Sequence, residues 1–361
     1  FMGVLGGILV LSFYSVVAGW TLHYTLQSLG LRLMGHQDFG EVFNQFVSNP
    51  WKPLVYQYVF LLLTHFVVAR GVESGIERFS KVMMPMLLVI IVLLSCFSLT
   101  MPGAYDGLNF LLKPDFSKVT TRVVLSAMGQ AFFSLSVGIG CLATYASYFK
   151  KDTNLVKSAV GVCAIDSMVA IMSGFIIFPA AFSVAGVQVD SGPGLVYITL
   201  PHVFNMAFEN IPFIGYLFSA LFYVLLLLAA LTSTISMHEI ATAFIRENYK
   251  CSRQKSAVIV TLICIVLGTA CSLSFGPWAD IKIWGMGFFD LFDFLTAKFI
   301  MPLGGILITM FVEWYLDRKL VVDELTNGGT VRVRGLRFLL FLIRWVAPIG
   351  VGIVFLNELA G

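Results

Sequence analysis

The chain has 361 residues, 58% of them hydrophobic and 12% charged, with a mean hydropathy of +0.89. That balance excludes an ordinary soluble globular domain, and a net charge of +3 with no basic stripe among aromatics excludes a nucleic-acid-binding surface. The chain reads as an all-α membrane protein in which six cysteines (Cys96, Cys141, Cys163, Cys251, Cys264, Cys271), mostly within apolar runs and without metal-ligand spacing, pack as small residues.

Taken in order, apolar stretches long enough to cross ~30 Å of hydrocarbon fall at Leu5–Ser28, Pro53–Ala69, Val82–Met101, Val123–Tyr148, Val156–Val184, Ile214–Ile245, Ala257–Phe275, Ile283–Val312 and Leu336–Leu356. The first opens at Phe1 without the basic start of a signal peptide, so the chain is expected to be a fragment. If these nine spans alternate, the Lys and Arg of 70–81, 150–157, 246–255, 318–319 and 332–337 share one side. Arg32, Lys52, Lys113, Lys118, Arg122 and Lys282 share the other. The positive-inside rule makes the first, richer side cytoplasmic. The longest connections, Gly30–Trp51 and Gly186–Phe213, then lie outside and read as structured loops.

Within the fourth span, Ser134, Ser136, Gly138 and Gly140 crowd into seven residues. Both residue types loosen a helix, and a broken span in lipid usually lines a cavity, because its freed backbone needs partners. The alternative is close helix packing on small residues. In the sixth span Thr232 and Ser233 are adjacent hydroxyls, placed either to bind a ligand or to bond back to their own helix. Asp166 is an acid in an apolar run, costly there unless it pairs or binds a cation. Glu239, Asp290, Asp293 and Lys298 are further charges at membrane depth; Asp290 and Asp293 share a helix face and could sense protons or meet Lys298, a structural ion pair being the favoured account. His23, His65 and His238 stand singly in different spans, and no catalytic grouping appears, so the chain does not read as an enzyme.

Several segments carry a resemblance. The string from Gln130 to Tyr148, with Phe132-Phe133 before the glycines and Thr144-Tyr-Ala-Ser-Tyr148 after them, resembles the sixth helix of the neurotransmitter:sodium symporters. Leu11–Trp20 resembles the third helix of that family, Gly75–Lys81 its loop between helices four and five, and Asp106–Phe110 with Pro114–Phe116 the approach to helix six. Ala230–Ser236 resembles helix eight and Asp290–Gly305 helix ten. The resemblance covers essentially the whole chain in order.

It implies an inverted-repeat helical bundle. Residues 1–361 would form a single transmembrane transporter domain holding family helices three to eleven, with helices one and two absent. The implied function is sodium-coupled symport of a neutral, hydrophobic amino acid by alternating access, in a multi-pass protein of the bacterial inner membrane. Another small solute on the same scaffold, or a non-transporting truncated subunit, stands as the alternative.

By resemblance, one Na⁺ would take the Ala229 carbonyl with the Thr232 and Ser233 hydroxyls, and a second would take Ser134 and Asp166. Both sites would be incomplete without the family's first helix. The Tyr14 hydroxyl would hold the substrate carboxylate, Phe133 would roof the pocket, and Ser136 would offer a carbonyl or hydroxyl. Val10, Ile139, Thr234 and Met237 would line the side-chain slot. Gln130 corresponds to the outer gate, and Tyr148 and Glu247 to the cytoplasmic latch. Animal members need chloride; here the position four residues after Asp166 is Ala170, and Asp166 itself stands where the family usually has asparagine. Chloride independence is therefore expected.

Overall fold

The structure is a computed structural model that describes residues 1–30, 38–150, 152–183, 192–208, 211–333 and 335–360. Expectations that fall on Arg32, Lys151, Val184, Gly186 and Arg334 lie outside the described residues.

The helices, in chain order, are α1 (Met2–Leu29), α2 (Phe39–Val47), α3 (Lys52–Ala69), α4 (Arg78–Ser98), α5 (Ala104–Leu112), α6 (Thr121–Ser134), α7 (Cys141–Ala146) and α8 (Leu155–Phe182). They continue with α9 (Leu200–Ala207), α10 (Pro212–Tyr249), α11 (Arg253–Leu273), α12 (Phe288–Phe294), α13 (Met301–Met310), α14 (Arg318–Thr326), α15 (Leu336–Phe341) and α16 (Ala347–Ala360). Among the described residues, eight helical stretches are long and apolar enough to span a membrane. Eight of the nine sequence stretches correspond to these. The ninth, Val123–Tyr148, is divided into α6 and α7 by a break over 135–140. One boundary is corrected: the span expected from Ile283 starts at Phe288, because Ile283 and Met286 form an antiparallel bridge. Trp284 and Gly285 turn that bridge at φ 53° and 79°. The two long outer connections contain α2 and α9.

Prolines shape several spans. Short π-helical turns at Leu195–Thr199, Leu295–Ile300 and Leu342–Val346 each end two residues before a proline, namely Pro201, Pro302 and Pro348. Proline has no N–H to give and its ring crowds the carbonyl one turn back, so the preceding turn widens to redirect its bonds while the helix continues.

The chain separates into two compact units. The first holds Phe1–Val10, Asp115–Met168 and Leu291–Gly361. Its centre is the break, where Gly138 (φ 93°) and Gly140 (φ 79°) take left-handed backbone that a side chain resists. A Cβ on Gly138 would lie 2.1 Å from the Met301 carbonyl oxygen, and one on Gly304 2.4 Å from the Gly138 oxygen. On another side, a Cβ on Gly3 would lie 2.9 Å from the Ile139 oxygen, and one on Gly6 2.8 Å from the Ile139 side chain. Glycines on the start of α1 and on α13 thus let helix backbone come up against the open chain, as close helix packing in membranes requires.

The second unit, Leu11–Pro114 with Val169–Asp290, is built on α1, α3, α10 and α11. Ala18, Leu22, Phe60 and Ala230 form a buried apolar cluster, and a Cβ on Gly19 would lie 2.7 Å from the Gln57 backbone nitrogen. Polar contacts join the same helices at successive levels. Tyr58 meets Thr269 at 2.7 Å and Thr64 meets Thr234 at 2.9 Å. His65 Nδ1 and His238 Nε2 both lie 2.9 Å from the Thr261 hydroxyl, so the two histidines read as solitary in the sequence share one partner where α3 and α10 both pack on α11. Glu239, fully buried, accepts 3.0 Å and 2.5 Å bonds from Arg253, whose Nε donates to the Val68 carbonyl at 2.8 Å. Glu239, read in the sequence only as a charge at membrane depth, is thus held in an ion pair. Lys298 of the first unit places its ammonium 5.6 Å from the centre of the Phe294 ring.

At the end of this unit that the charge rule puts outside, Trp20 is packed edge-on by Phe43, Tyr197 and Phe275 and stacked with Phe289. The turn before α9 is fastened to α1 by a 2.7 Å bond between Tyr197 and Thr21. All six cysteines are free thiols; Cys264 and Cys271 are buried.

Two outcomes follow. Gly138→Ala combines left-handed strain of about 1–3 kcal/mol with overpacking of similar size, and it should lower the melting temperature in detergent and abolish activity; a stable, active variant would refute the close approach to Met301. Arg253→Met leaves Glu239 buried without its cation, a loss of about 3–5 kcal/mol, whereas adding Glu239→Gln should recover much of it. Equal melting temperatures for the single and double variants would contradict the ion-pair account.

Candidate functional site

The break begins where α6 runs out. Leu135 N–H still reaches the Ala131 carbonyl at 3.1 Å, but Val137 N–H reaches back five residues to Phe132 and Ser136 turns to φ 51°. Helical bonding resumes when Thr144 N–H reaches the Gly140 carbonyl at 2.9 Å. Backbone groups near 135–140 are thereby released from the helix ladder, inside a segment apolar enough to lie at membrane depth.

Ser134, the last residue of α6, donates its hydroxyl to both carboxylate oxygens of Asp166 on α8, at 2.8 and 2.9 Å. Two residues expected at one cation are therefore adjacent across 32 positions of sequence. The serine lone pairs and the carboxylate form an oxygen-only donor set beside a broken helix, which suits a hard cation such as Na⁺ and offers nothing to a thiophilic metal. Among the described residues no cluster of three or more His, Cys, Asp or Glu side chains is placed to hold a metal ion.

The second expected cation set lies on α10. Thr232 donates to the Ala229 carbonyl at 2.8 Å, and Ser236 donates to the Thr232 carbonyl at 3.1 Å. Of the two placements the residues alone left open, Thr232 shows the back-bonded one. It keeps the Ala229 and Thr232 oxygens side by side, with the hydroxyl's lone pairs directed away from the bond. The Ser233 side chain lies beside the Tyr14 hydroxyl, so the expected carboxylate-binding tyrosine neighbours the same cation set.

The remaining candidates separate by unit. In the first, Val10 and Ile139 are buried, Ser136 lies in the break, and Phe133, Gln130 and Tyr148 are exposed. In the second, Met237 is half-buried, and Glu247 is exposed on the last turns of α10. Thr234 is fully buried, with its hydroxyl given to the Leu231 carbonyl and paired with Thr64, so it acts as a contact between α3 and α10. Sequence reasoning did not find the glycines that enclose the break, Gly3, Gly6, Gly304 and Gly305. The available signal was the Gly304-Gly305 pair after Pro302 in an apolar run. A Cβ on Gly305 would lie 2.5 Å from the Phe132 ring, next to the residue expected to roof the pocket.

Comparison with known proteins agrees with this geometry. The family model described as the sodium:neurotransmitter symporter family matches residues 43–360. A sodium-dependent transporter of Bacillus subtilis, YhdH, is 40% identical over 99% of this chain and 78% of its own length. A sodium-dependent transporter of Haemophilus influenzae is 30% identical over the same shares. The crystal structure of MhsT in complex with L-phenylalanine superposes with a TM-score of 0.88 at 39% identity, over 99% of this chain and 80% of that one. The expected fold and transport class hold, and enzymatic chemistry is not what these relatives perform. A multi-pass helical chain with an oxygen-lined break, matched by that family model over most of its length, belongs to the sodium:neurotransmitter symporter family.

Proposed function

We propose that the protein couples Na⁺ to the uptake of a neutral, hydrophobic amino acid by alternating access, across the cell membrane and within a single transporter domain. The observation that carries this reading is the Ser134–Asp166 pair at the broken helix, a carboxylate and hydroxyl at membrane depth with a cation as their natural third partner. The apolar character of Val10, Phe133 and Ile139 supports a substrate with an uncharged side chain, since an unpaired charge among them would be costly. That MhsT holds L-phenylalanine in its crystal structure supports the same substrate class.

In this mechanism Ser134 and Asp166 bind one Na⁺, while the Ala229 carbonyl with Thr232 and Ser233 binds another. Tyr14, oriented by Ser233, donates to the substrate carboxylate. Ser136 turns its backbone toward the substrate at the break, Phe133 covers it, and Thr234 holds the slot wall from behind through Thr64. Gln130 works at the outer gate, and Tyr148 with Glu247 at the cytoplasmic one. Asp166 also supplies the negative charge that a chloride ion would otherwise bring, because Ala170 offers an anion no hydroxyl.

Two measurements in proteoliposomes test this. Thr232→Ala with Ser233→Ala should raise the Na⁺ concentration for half-maximal amino acid uptake by about tenfold or more, equivalent to ~1.4 kcal/mol; an unchanged Na⁺ dependence would leave these hydroxyls as helix contacts alone. Replacing chloride by gluconate should leave wild-type uptake unaltered, whereas Asp166→Asn should become weak or chloride-responsive. Loss of wild-type uptake in gluconate would remove the charge-balancing role from Asp166.

A further inference from the structure

The end of the Phe288–Tyr315 span that the charge rule puts inside carries a groove lined by none of the candidate site residues. About 630 Å³ in volume, it is lined by Leu307, Ile308, Met310, Phe311, Trp314 and Tyr315, an almost wholly apolar set. Phe311 and Tyr315 stack at 5.4 Å along one wall. Trp314 and Tyr315, 53% and 81% exposed, stand where aromatic side chains gather at a membrane interface.

Beside this wall, in the same unit, is an arginine that composition alone would not place. Arg344 sits eight residues into the Leu336–Asn357 span, about 12 Å along the helix from its start. It is exposed, and among the described residues no carboxylate pairs with it. Its guanidinium lies 5.7 Å from the Trp345 ring centre, and Trp345 lies 6.1 Å from Trp314 of the groove. A guanidinium within an apolar span is costly unless relieved, and the usual relief is to reach toward the interface and draw a phosphate down to it. Arginine is suited to that task because its planar fork matches phosphate oxygens two at a time.

The surrounding charge sets the headgroup. Arg318 and Lys319 open α14 directly after the groove and Arg337 opens the following span, all exposed. Of the acids nearby, Asp317 caps α14 by accepting from Lys319 N–H at 2.9 Å and Glu313 has a buried Oε1, while Asp323 and Glu324 lie further along α14, away from its start. Arg318 and Lys319 at the start of α14, with Arg337 and Arg344, put positive charge next to the groove, which favours an anionic headgroup. A zwitterionic headgroup gains much less, because its own ammonium meets the same cations.

We propose that this groove is a binding site for one anionic glycerophospholipid of the cytoplasmic leaflet. Its acyl chain lies along Leu307, Met310, Phe311 and Trp314. Its phosphate is held by Arg344 over Trp345, within the field of Arg318, Lys319 and Arg337.

Native mass spectrometry of the purified transporter, titrated with phosphatidylglycerol or phosphatidylcholine of the same chains, tests the assignment. Wild type should retain phosphatidylglycerol preferentially. Arg344→Gln should weaken that binding by about tenfold or more, and Arg344→Lys should recover part of it. Ile308→Trp, which fills the groove without altering charge, should also lose the lipid, and Arg246→Gln, at the end of α10, should bind as wild type. Glycerophosphoglycerol, the headgroup without chains, should not displace the lipid. The proposal is overturned by equal retention of the two lipids, by undiminished retention in both Arg344→Gln and Ile308→Trp, or by displacement with the free headgroup.

Discussion

A peptide group inside hydrocarbon has no water to turn to, and leaving it unpaired costs several kcal/mol. That constraint governs the first unit. A chain that stops being helical at Leu135 and resumes at Cys141 survives at membrane depth only where protein backbone encloses it. Glycines provide the enclosure, because only residues without side chains let Gly3 of α1 and Gly304 of α13 approach the carbonyls of Ile139 and Gly138. The same opening frees oxygen atoms for a cation, so the feature that threatens stability is also the one that permits function. Ser134 and Asp166 stand at its edge, where a carboxylate has a hydroxyl for company and room for an ion.

The second unit meets the constraint in the opposite way. Its helices stay unbroken where they meet, and polar side chains within them pair with one another across the interfaces. Buried Glu239 is tolerable because Arg253 brings both charge and geometry to it, and the Nε–H of the same guanidinium holds the end of α3 through Val68. Interhelical bonds of this kind average about 0.6 kcal/mol each in membranes. Their greater effect is to fix one rotation and one depth for each helix, which hydrophobic contact alone does not.

How much of this is legible in the sequence depends on the range of the interaction. Hydropathy is a local property, and it located the spans to within a few residues. The break was legible too, because Ser134, Ser136, Gly138 and Gly140 fall within one turn or two of each other. Pairing across the bundle was not. Nothing local to Arg253 says that Glu239 is its partner, and nothing near Thr261 announces two histidines. Thr232 and Ser233 show the limit most clearly, since the residue types allow either a ligand or a back-bonded hydroxyl and only the fold shows Thr232 facing Ala229 and Ser233 facing Tyr14. Thr234, indistinguishable from its neighbours by composition, turns toward α3 because a helix places successive side chains ~100° apart.

Thr261 carries a consequence of its own. A hydroxyl has one proton and two lone pairs; this proton goes to the Ala257 carbonyl at 2.8 Å, so both lone pairs receive, one from His65 and one from His238. Three helices are knotted at a single oxygen atom with no valence left over. Each imidazole therefore has its N–H direction dictated by a residue that never titrates, and the polarity of the string runs one way, inward from both rings to α11 and on into its backbone. A wire that conducted protons would need to reverse that polarity link by link, and the backbone carbonyl at its end has no proton to send back.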